Sequence, residues 1–463
     1  MIRSTVARVD LAALENNFRA IQRFLVAGAK APALQRAESP VTRPADAPAE
    51  RRAEAPAVRS AEASASASSA SASPPGIIAV VKANAYGHGA SAVALALERA
   101  GATMLACADI EEGIVLRRAG VRVPILVFGA LSVSDLDGLF EFALTPTIST
   151  PSAARAVQAA AARRRTTVGF HLKIDTGMNR LGFRHDNLRR TLPELFASEN
   201  LRLDAVYTHF ASADDPESDV FNQQRENYDK ALEIVASMIG PPEGGPYSRH
   251  DAKSHDRDDA MSIVRRGGPS GPPNRSFLRH AANSAATLRD SRVWYDVVRP
   301  GLLLYGLVPP PLASTIPLEP VMSLTSRVVA VKGLRPGEGV GYGWRFQTDS
   351  PRTIAVIPAG YADGLDTRLA GKGFVLIRGR RVPIVGAVSM DMITVDVTDL
   401  GDVTPGDEVV LLGRQGDEVW QQIDAREVAA AIGTIPWEIV CRLGTRIERQ
   451  YTATNHRDTE AQS

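Results

Sequence analysis

Short apolar runs rich in β-branched residues alternate with amphipathic stretches through the first two thirds of the chain. The amphipathic stretches predict helices, among them residues 90–100, 110–119 and 151–163. The apolar runs predict eight strands: 77–81, 103–107, 124–128, 144–149, a run ending near 174, 203–208, 276–281 and 295–299. Repeated strand–helix units indicate a parallel sheet, either doubly wound or closed into a barrel. Eight units favour an α/β fold of the (β/α)8, TIM-type barrel kind.

The pattern changes after about residue 317, where strand-like segments follow one another without intervening helices. Such a succession is typical of an antiparallel sheet. One amphipathic helix is predicted near residues 425–432. We therefore expect a barrel domain over residues 1–316, a mainly antiparallel β domain over residues 317–453, and a flexible tail over residues 454–463.

Two stretches within the first domain lack hydrophobic periodicity. Residues 28–75 are dominated by Ala, Ser, Pro, Arg and Glu, and residues 241–275 are interrupted by Gly and Pro among mixed charges. Segments of this composition cannot bury enough apolar surface to fold. We predict that both are disordered surface insertions.

Composition excludes several classes of function. The 463 residues contain 53 Lys plus Arg against 52 Asp plus Glu, so no basic field would attract nucleic acid or an anionic membrane. Only two cysteines occur, Cys107 and Cys441, which excludes a disulfide framework and disfavours a cysteine-rich metal site; we predict no metal. No signal peptide or long apolar run is evident, so we expect a cytoplasmic protein with a small-molecule ligand.

Residues just past the carboxyl ends of barrel strands face a common site. Here these positions hold Lys82, Asp175, His209, Asn283 with Ser284, and Pro300 with Gly301. A lysine at the mouth of an apolar strand is partly desolvated, which lowers its pKa and makes its amine a nucleophile. A Schiff base with pyridoxal phosphate is the natural use. A lone strand-end lysine is usually a surface residue, but Tyr86 and the glycines at 87 and 89 support a ligand pocket here.

Other groups suit the same cofactor. Ser284 places a hydroxyl beside a helix N-terminus, which could bind a phosphate, although this segment taken alone favours a plain helix cap by Asn283 or Ser284. Gly301 and Leu302 offer backbone amides. Arg299 cannot accept a proton, so it would keep the pyridine nitrogen of the cofactor unprotonated.

Eight motifs resemble those of the bacterial alanine racemases: VVKANAYGHG, HLKIDTGMNRLG, THFASAD, NSAAT, RPGLLLYG, GVGYGW, IPAGYADG and VSMDM. They occur in family order and cover nearly the whole chain outside the two insertions. The resemblance implies a pyridoxal-phosphate enzyme with a barrel, a β domain and a head-to-tail homodimer whose sites use both subunits. It implies interconversion of L-alanine and D-alanine, which supplies D-alanine for peptidoglycan synthesis.

The resemblance also implies roles for single residues. Lys82 is similar to the lysine that binds the cofactor and acts as the base on one face, and Tyr342 to the opposite base, donated by the other subunit. Two bases on opposite faces are what inversion at a carbon requires. Arg299, with His209 behind it, resembles the pair that holds the pyridine nitrogen.

The remaining site residues follow from the same resemblance. The phosphate set comprises Tyr86, Ser284, Gly301 and Leu302, and Asn283 is a further cofactor-binding residue. The substrate set comprises Arg180, Met390, Asp391 and Tyr361. Lys173 corresponds to a lysine that is carbamylated in some members; a simple ion pair with Asp175 or another carboxylate is the alternative. Trp437 stands where the family usually has a phosphate-binding tyrosine, and Ser389 where a cysteine is common.

Three other functions share parts of this pattern. A basic amino-acid decarboxylase of the same architecture would place a glutamate at the pyridine nitrogen, so Arg299 disfavours it. A broad-specificity racemase, acting for example on serine, stays open because the sequence does not show pocket width. A non-catalytic pyridoxal-phosphate-binding protein is less favoured because such relatives consist of the barrel alone.

Overall fold

A computed structural model describes residues 4–30, 74–131, 135–239, 277–416 and 421–452. The predicted tail at 454–463, the insertion at 241–275 and most of the insertion at 28–75 lie outside these residues. Residues 28–30 are the last turn of a helix, so the first insertion begins later than predicted. The helix continues because Gly28 and the alanine and lysine after it do not stop a helix whose apolar face is already packed.

The described chain begins with strand β1 (Val6–Asp10) and helix α1 (Leu11–Lys30). On β1, Val6, Ala7 and Val9 are buried while Arg8 is exposed. The carboxylate of Asp10 accepts hydrogen bonds from the amides of residues 12 and 13, and so it caps α1.

All eight predicted parallel strands are present. They are β2 (Gly76–Val80), β3 (Met104–Cys107), β4 (Ile125–Val127), β5 (Thr145–Ile148), β6 (Val168–Asp175), β8 (Leu201–Tyr207), β9 (Leu278–His280) and β10 (Val297–Val298). A short additional strand, β7 (Phe183–Arg184), lies between β6 and β8 in the chain. Strand β5 pairs with β6, and β10 pairs with β2, so the sheet closes and the predicted barrel is confirmed. The doubly wound alternative was wrong.

Helices follow the strands and pack against the outside of the barrel. They are α3 (Ala90–Arg99), α4 (Ile110–Arg118), α5 (Asp137–Glu141), α6 (Pro151–Arg163), α7 (Leu188–Thr191), α8 (Pro193–Phe196), α9 (Val220–Ile239) and α10 (Ser284–Arg289). The short segment after β2, α2 (Lys82–Tyr86), is not a regular right-handed helix, because Ala83, Asn84 and Ala85 have non-helical backbone angles. Alternate residues of β2 face opposite ways: Ile77 and Ala79 join the cluster that includes the helices, whereas Ile78 and Val80 join a separate inner cluster. This alternation is the period-2 pattern of a strand buried on both faces.

The second domain is a mainly antiparallel sheet, as predicted. Its elements are β11 (Met322–Arg327), β12 (Ala330–Leu334), β13 (Gly339–Val340), β14 (Phe346–Gln347), β15 (Arg352–Ile357), β16 (Phe374–Ile377), β17 (Arg380–Val385), β18 (Ile393–Asp396), β19 (Glu408–Gln415), β20 (Gln421–Ile423), α11 (Ala425–Ile432), α12 (Pro436–Cys441) and β21 (Glu448–Thr452). The large sheet has the order β12–β15–β18–β17–β16–β19–β11–β1–β21.

Strand β1 does not belong to the barrel to which we assigned residues 1–316. It pairs antiparallel with β11 and parallel with β21, both in the second sheet. Its partners lie hundreds of positions away, and the local alternation of residues 6–10 carries no information about which sheet it joins.

Among the described helices, none combines the length and the apolar character needed to cross a membrane.

Candidate active site

The backbone turns left-handed directly after Lys82. Ala83, Asn84, Ala85 and Tyr86 have φ values of 54°, 52°, 55° and 51°. Each such residue costs about 1–2 kcal/mol relative to the right-handed conformation. Four in succession cannot form from local preference, so the surrounding structure must hold this turn, which we call the lysine turn (residues 82–89).

Hydrogen bonds within the lysine turn provide part of the support. The Gly87 amide donates to the Ala83 carbonyl at 2.9 Å. Nδ1 of His88 lies 3.0 Å from the Ala85 carbonyl oxygen and 2.9 Å from that of Tyr86. Carbonyl oxygens only accept, so Nδ1 carries the proton, and burial lowers the pKa of His88 to about 4, which keeps the ring neutral.

The second domain provides the rest of the support for the lysine turn. Nε of Arg449 donates to the Gly87 carbonyl at 3.1 Å. Gly87 has a φ of +81°, and a Cβ there would overlap the carbonyl oxygen of Val440 at the end of α12. Only glycine combines this φ with so close an approach. The lysine turn is therefore built jointly by the barrel and the second domain.

Lys82 is half-buried at the start of this turn. Burial lowers the pKa of its amine, and the charge of Arg180 lowers it further, while Glu112 and Cys441 act in the opposite direction. Four residues on, the ring of Tyr86 packs 5.1 Å from that of Tyr305. Its hydroxyl lies where a Cβ on Gly301 would otherwise project.

Arg299 is buried directly after β10 and has no acidic partner among the residues that the structure describes. Its Nη2 donates to the carbonyls of Thr208 and Ala281 at 2.7 and 2.9 Å, and its Nη1 donates to Nδ1 of His280 at 2.7 Å. Nε2 of His280 lies 3.0 Å from Nδ1 of His171. Arginine only donates, so Nδ1 of His280 accepts and its Nε2–H donates to His171. Burial holds the pKa of both histidines well below the usual range, so both stay neutral.

The histidine that hydrogen-bonds Arg299 is His280. Burial, and after it the charge of Arg299, lowers the pKa of His209, the histidine that we predicted behind Arg299. His280 also stacks on the ring of Tyr207, with centroids 4.7 Å apart. Sequence reasoning missed His171 and His280 as site residues. Both lie on predicted barrel strands, and inward-facing histidines on such strands are the signal that could have found them.

Four cations converge at the carboxyl ends of the barrel strands: Lys82, Lys173, Arg180 and Arg299. The charge of Arg180 lowers the pKa of both lysines, which shows that these groups lie close together. Across the described part of the chain, none of the four forms an ion pair with an acidic side chain. Burial and these neighbours lower the pKa of Lys173 to about 8. The mouth of the barrel is thus a concentrated positive field.

Asp175 does not form the ion pair considered for Lys173. Its Oδ1 accepts hydrogen bonds from the amides of Gly177 and Asn179 at 3.1 and 3.0 Å. The carboxylate is thereby used to shape the turn that leads to Arg180. The Lys173 amine instead lies 5.7 Å from the ring centroid of Tyr207.

A second group of donors lies around Ser284. Its Oγ accepts hydrogen bonds from the amides of Gly301 and Leu303 at 3.0 and 3.4 Å, which leaves its own proton free to donate. The side-chain oxygen of Asn283 accepts a hydrogen bond from the amide of residue 286 at 2.9 Å and so caps α10. Asn283 therefore has the helix-cap role that we predicted as the alternative to phosphate binding. Within the described ranges, the Tyr86 hydroxyl and the Leu302 amide have no hydrogen-bond partner.

The remaining predicted site residues lie on the second domain. Tyr342, Met390 and Tyr361 have exposed fractions of 77%, 51% and 45%. Asp391 accepts a hydrogen bond from Arg446 at 2.7 Å. As far as the chain is described, none of the four bonds to a barrel residue, and the Met390 amide has no partner. One copy of the chain therefore brings the barrel residues together, whereas this set is largely exposed and, among the described residues, not bonded to them.

Comparison with known proteins supports one family throughout. Residues 61–244 match the family model "Alanine racemase, N-terminal domain", and residues 321–451 match "Alanine racemase, C-terminal domain". An alanine racemase of Halothermothrix orenii is 37% identical over 376 residues, covering 81% of this chain and 89% of that protein. The chain belongs to the alanine racemase family. The predicted family, fold class and enzyme class, an amino-acid racemase, are confirmed.

Solved alanine racemase structures have the same fold. One from Bacillus anthracis, described with bound L-Ala-P, is 31% identical with a TM-score of 0.72 and covers 98% of this chain and 96% of that chain. One from Streptomyces lavendulae is 28% identical with a TM-score of 0.73, at 98% coverage of each chain. The resemblance therefore extends over both domains.

Two positions depart from the motifs of the alanine racemase family. Trp437 lies half-buried on α12, and its indole N–H has no partner among the residues that are described. Indole donates but does not accept, so it can replace only one of the hydrogen-bonding functions of a tyrosine. The Ser389 hydroxyl donates to the Met392 carbonyl at 2.8 Å and accepts from its amide at 3.1 Å. Ser389 thus closes the turn that carries Met390.

The Gly87→Ala substitution tests whether the second domain holds the lysine turn. The added Cβ meets the Val440 carbonyl, so we expect the free energy of unfolding to fall by about 3 kcal/mol. Gly120→Ala is the control, because Gly120 has a φ of +98° but open space around it, and we expect a loss of about 1 kcal/mol from strain alone. Urea unfolding followed by fluorescence measures both. Equal losses would show that the contact with Val440 carries no weight.

Proposed function

We propose that this chain interconverts L-alanine and D-alanine with pyridoxal phosphate as its cofactor, by proton transfers on opposite faces of the substrate. The observation that carries the proposal is the set of four cations at the mouth of the barrel, Lys82, Lys173, Arg180 and Arg299, which have no ion pair with any described acidic side chain. A field of this kind requires an anionic ligand. A cofactor phosphate and an amino-acid carboxylate together satisfy it.

The residues present fit pyridoxal phosphate. The free proton of Ser284, the Tyr86 hydroxyl and the Leu302 amide would bind the phosphate, and only a glycine at 301 leaves room for the Tyr86 hydroxyl. Lys82, with its lowered pKa, would bind the cofactor aldehyde through its amine. Arg299 keeps N–H groups that its hydrogen bonds to His280, Thr208 and Ala281 do not use, and these would face the pyridine nitrogen.

The chemistry follows from Lys82 and Arg299. Bound pyridoxal phosphate withdraws electrons from the substrate and makes its α-proton acidic. Arg299 would donate to the pyridine nitrogen without protonating it, because arginine holds its proton even where burial lowers its pKa to about 10. This would restrain electron withdrawal into the ring and disfavour transamination. Neutral His280, which accepts from Arg299, fixes the orientation of the guanidinium.

The second base and part of the substrate site come from another copy of the chain. Tyr342 is exposed on the second domain, together with Tyr361 and the unpartnered amide of Met390. Placed over the barrel mouth of a second copy, Tyr342 would face Lys82 across the substrate. The Met390 amide would bind the substrate carboxylate together with Arg180, and Tyr361 would narrow the entrance. We therefore propose a homodimer with shared sites, which works in the cytoplasm and supplies D-alanine for peptidoglycan.

Racemisation of L-alanine in deuterated water tests the proposed function. The protein, supplied with pyridoxal phosphate, should abolish the optical activity of L-alanine and place deuterium on the α-carbon. Lys82→Ala should abolish both signals and the absorbance of bound cofactor. Tyr342→Phe should keep that absorbance and lose one direction of exchange more than the other, because it removes one of two bases. Unexchanged L-alanine with bound cofactor would contradict the proposal, and L-serine assayed in parallel would reveal a broader racemase.

Mixed dimers test the shared site. Subunits inactivated by Lys82→Ala and subunits inactivated by Tyr342→Phe, unfolded and refolded together, should regain about one quarter of wild-type activity by random pairing, because half of the dimers hold one intact site of two. Each variant refolded alone is the control. Recovery no greater than the sum of the controls would place both bases in one subunit.

Carbamylation of Lys173 is testable through its pKa of about 8. Only the free amine reacts with carbon dioxide, and the free fraction rises as the pH rises through 8. We expect a ¹³C-carbamate signal from labelled bicarbonate that grows between about pH 7 and pH 9 and is lost in Lys173→Ala. A signal that survives this substitution would assign the carbamate to another amine. Absence of any signal in the wild-type protein would leave Lys173 unmodified.

A further inference from the structure

Glu112 lies beside the lysine turn and has no part in the function proposed above. It is the third residue of α4, and its own amide donates to the capping carboxylate of Asp109 at 2.8 Å. Its side chain is partly buried. A glutamate at this position of a helix commonly returns its carboxylate to the helix N-terminus. Here one oxygen does so and the other does not.

The two carboxylate oxygens bind backbone amides on different segments. Oε2 accepts from the amide of Ala108, just before α4, at 2.7 Å. Oε1 accepts from the amide of Ala83, the residue that follows Lys82, at 2.6 Å. Hydrogen bonds of this length to an ionised carboxylate are among the stronger ones in proteins. Glu112 therefore ties the first left-handed residue of the lysine turn to the neighbouring strand–helix unit.

The same carboxylate brings negative charge to a region dominated by cations. The charges of Arg180, Glu112 and the Cys441 thiol shift the pKa of the Lys82 amine. The charge of Lys82 in turn lowers the pKa of Lys173 and of His209. Of the three groups acting on Lys82, Glu112 is the carboxylate. It forms no direct ion pair with Lys82 within the described chain, so its charge acts across space without holding the amine.

We propose that Glu112 is a positioning residue for Lys82: it fixes the backbone of the lysine turn at Ala83 and sets the pH range in which the lysine binds pyridoxal phosphate. This inference rests on the proposed function, since it assumes that Lys82 is the residue that binds the cofactor. The Lys82 amine condenses with the cofactor aldehyde, forming a carbon–nitrogen double bond and releasing one water, and only the unprotonated amine reacts.

The Glu112→Gln variant tests the two contributions of Glu112, its hydrogen bonds and its charge, while it keeps the size of the side chain. The amide oxygen can accept one of the two N–H groups, but the amide nitrogen then faces the other N–H, donor to donor. The variant also loses the negative charge that raises the Lys82 pKa. We expect the pH midpoint for cofactor binding to fall by about one unit and the affinity for pyridoxal phosphate at high pH to fall about tenfold.

The experiment is a pH titration of cofactor binding to the full-length protein stripped of cofactor. Absorbance of the bound cofactor, between about pH 6 and pH 10, reports binding without reference to turnover. Glu111→Gln is the matched control: it removes the same charge one position away, where the side chain is exposed and forms no hydrogen bond or ion pair with the described residues. Its titration should coincide with that of the wild type.

The outcomes distinguish this inference from the proposed function. If the wild-type protein binds no pyridoxal phosphate, the proposed function fails. If it binds and racemises but Glu112→Gln and Glu111→Gln titrate alike, only the role of Glu112 is overturned. Should Glu112→Gln not fold, Glu112→Asp decides, because it keeps the charge but is too short to reach both amides. Weaker binding at an unchanged midpoint supports the role, and wild-type affinity overturns it.

Discussion

Unneutralised positive charge at the mouth of the barrel is the constraint on which the rest of the site depends. Arg299 is buried among carbonyl oxygens and one neutral imidazole, which stabilise a cation without cancelling its charge. Burial, together with that charge, keeps His280 neutral and, with Arg180, lowers the pKa of Lys173, while burial and Arg180 lower the pKa of Lys82. Electrostatic repulsion is thus built into the site, and an anionic ligand relieves it. Ligand binding and the reactivity of Lys82 both depend on this combination of burial and positive charge.

The second domain contributes to the barrel site as well as to its own surface. Arg449 and the carbonyl of Val440 contact the lysine turn at Gly87, so the left-handed backbone after Lys82 needs both domains. Glu112 holds the start of the same turn from the barrel side. The conformation at Lys82 therefore depends on both domains, although Lys82 itself lies just after β2 in the barrel.

Local pattern was enough to predict the barrel, because each of its strands is an apolar run flanked by an amphipathic helix. It was also enough to single out Lys82, because Lys82 follows the end of a strand, whereas Arg299, the last residue of a predicted strand, was singled out by the chemistry of its side chain. It could not show that Arg299 binds His280 and not His209, since that depends on which strands are neighbours in the closed sheet. The four left-handed residues of the lysine turn were equally beyond reach, because Ala and Tyr have no local preference for that conformation.

The pairing of β1 with β21 has a consequence for the order in which the molecule can be completed. Val9 on β1 accepts a hydrogen bond from Thr452, 443 positions later in the chain. A ribosome makes β1 before the barrel strands and β21 after them, so the barrel strands emerge while the edge of β1 still lacks its partners. The second sheet can be completed only after β21 has been made. Since Arg449 lies on β21, the support that it gives to Gly87 also arrives at that last step.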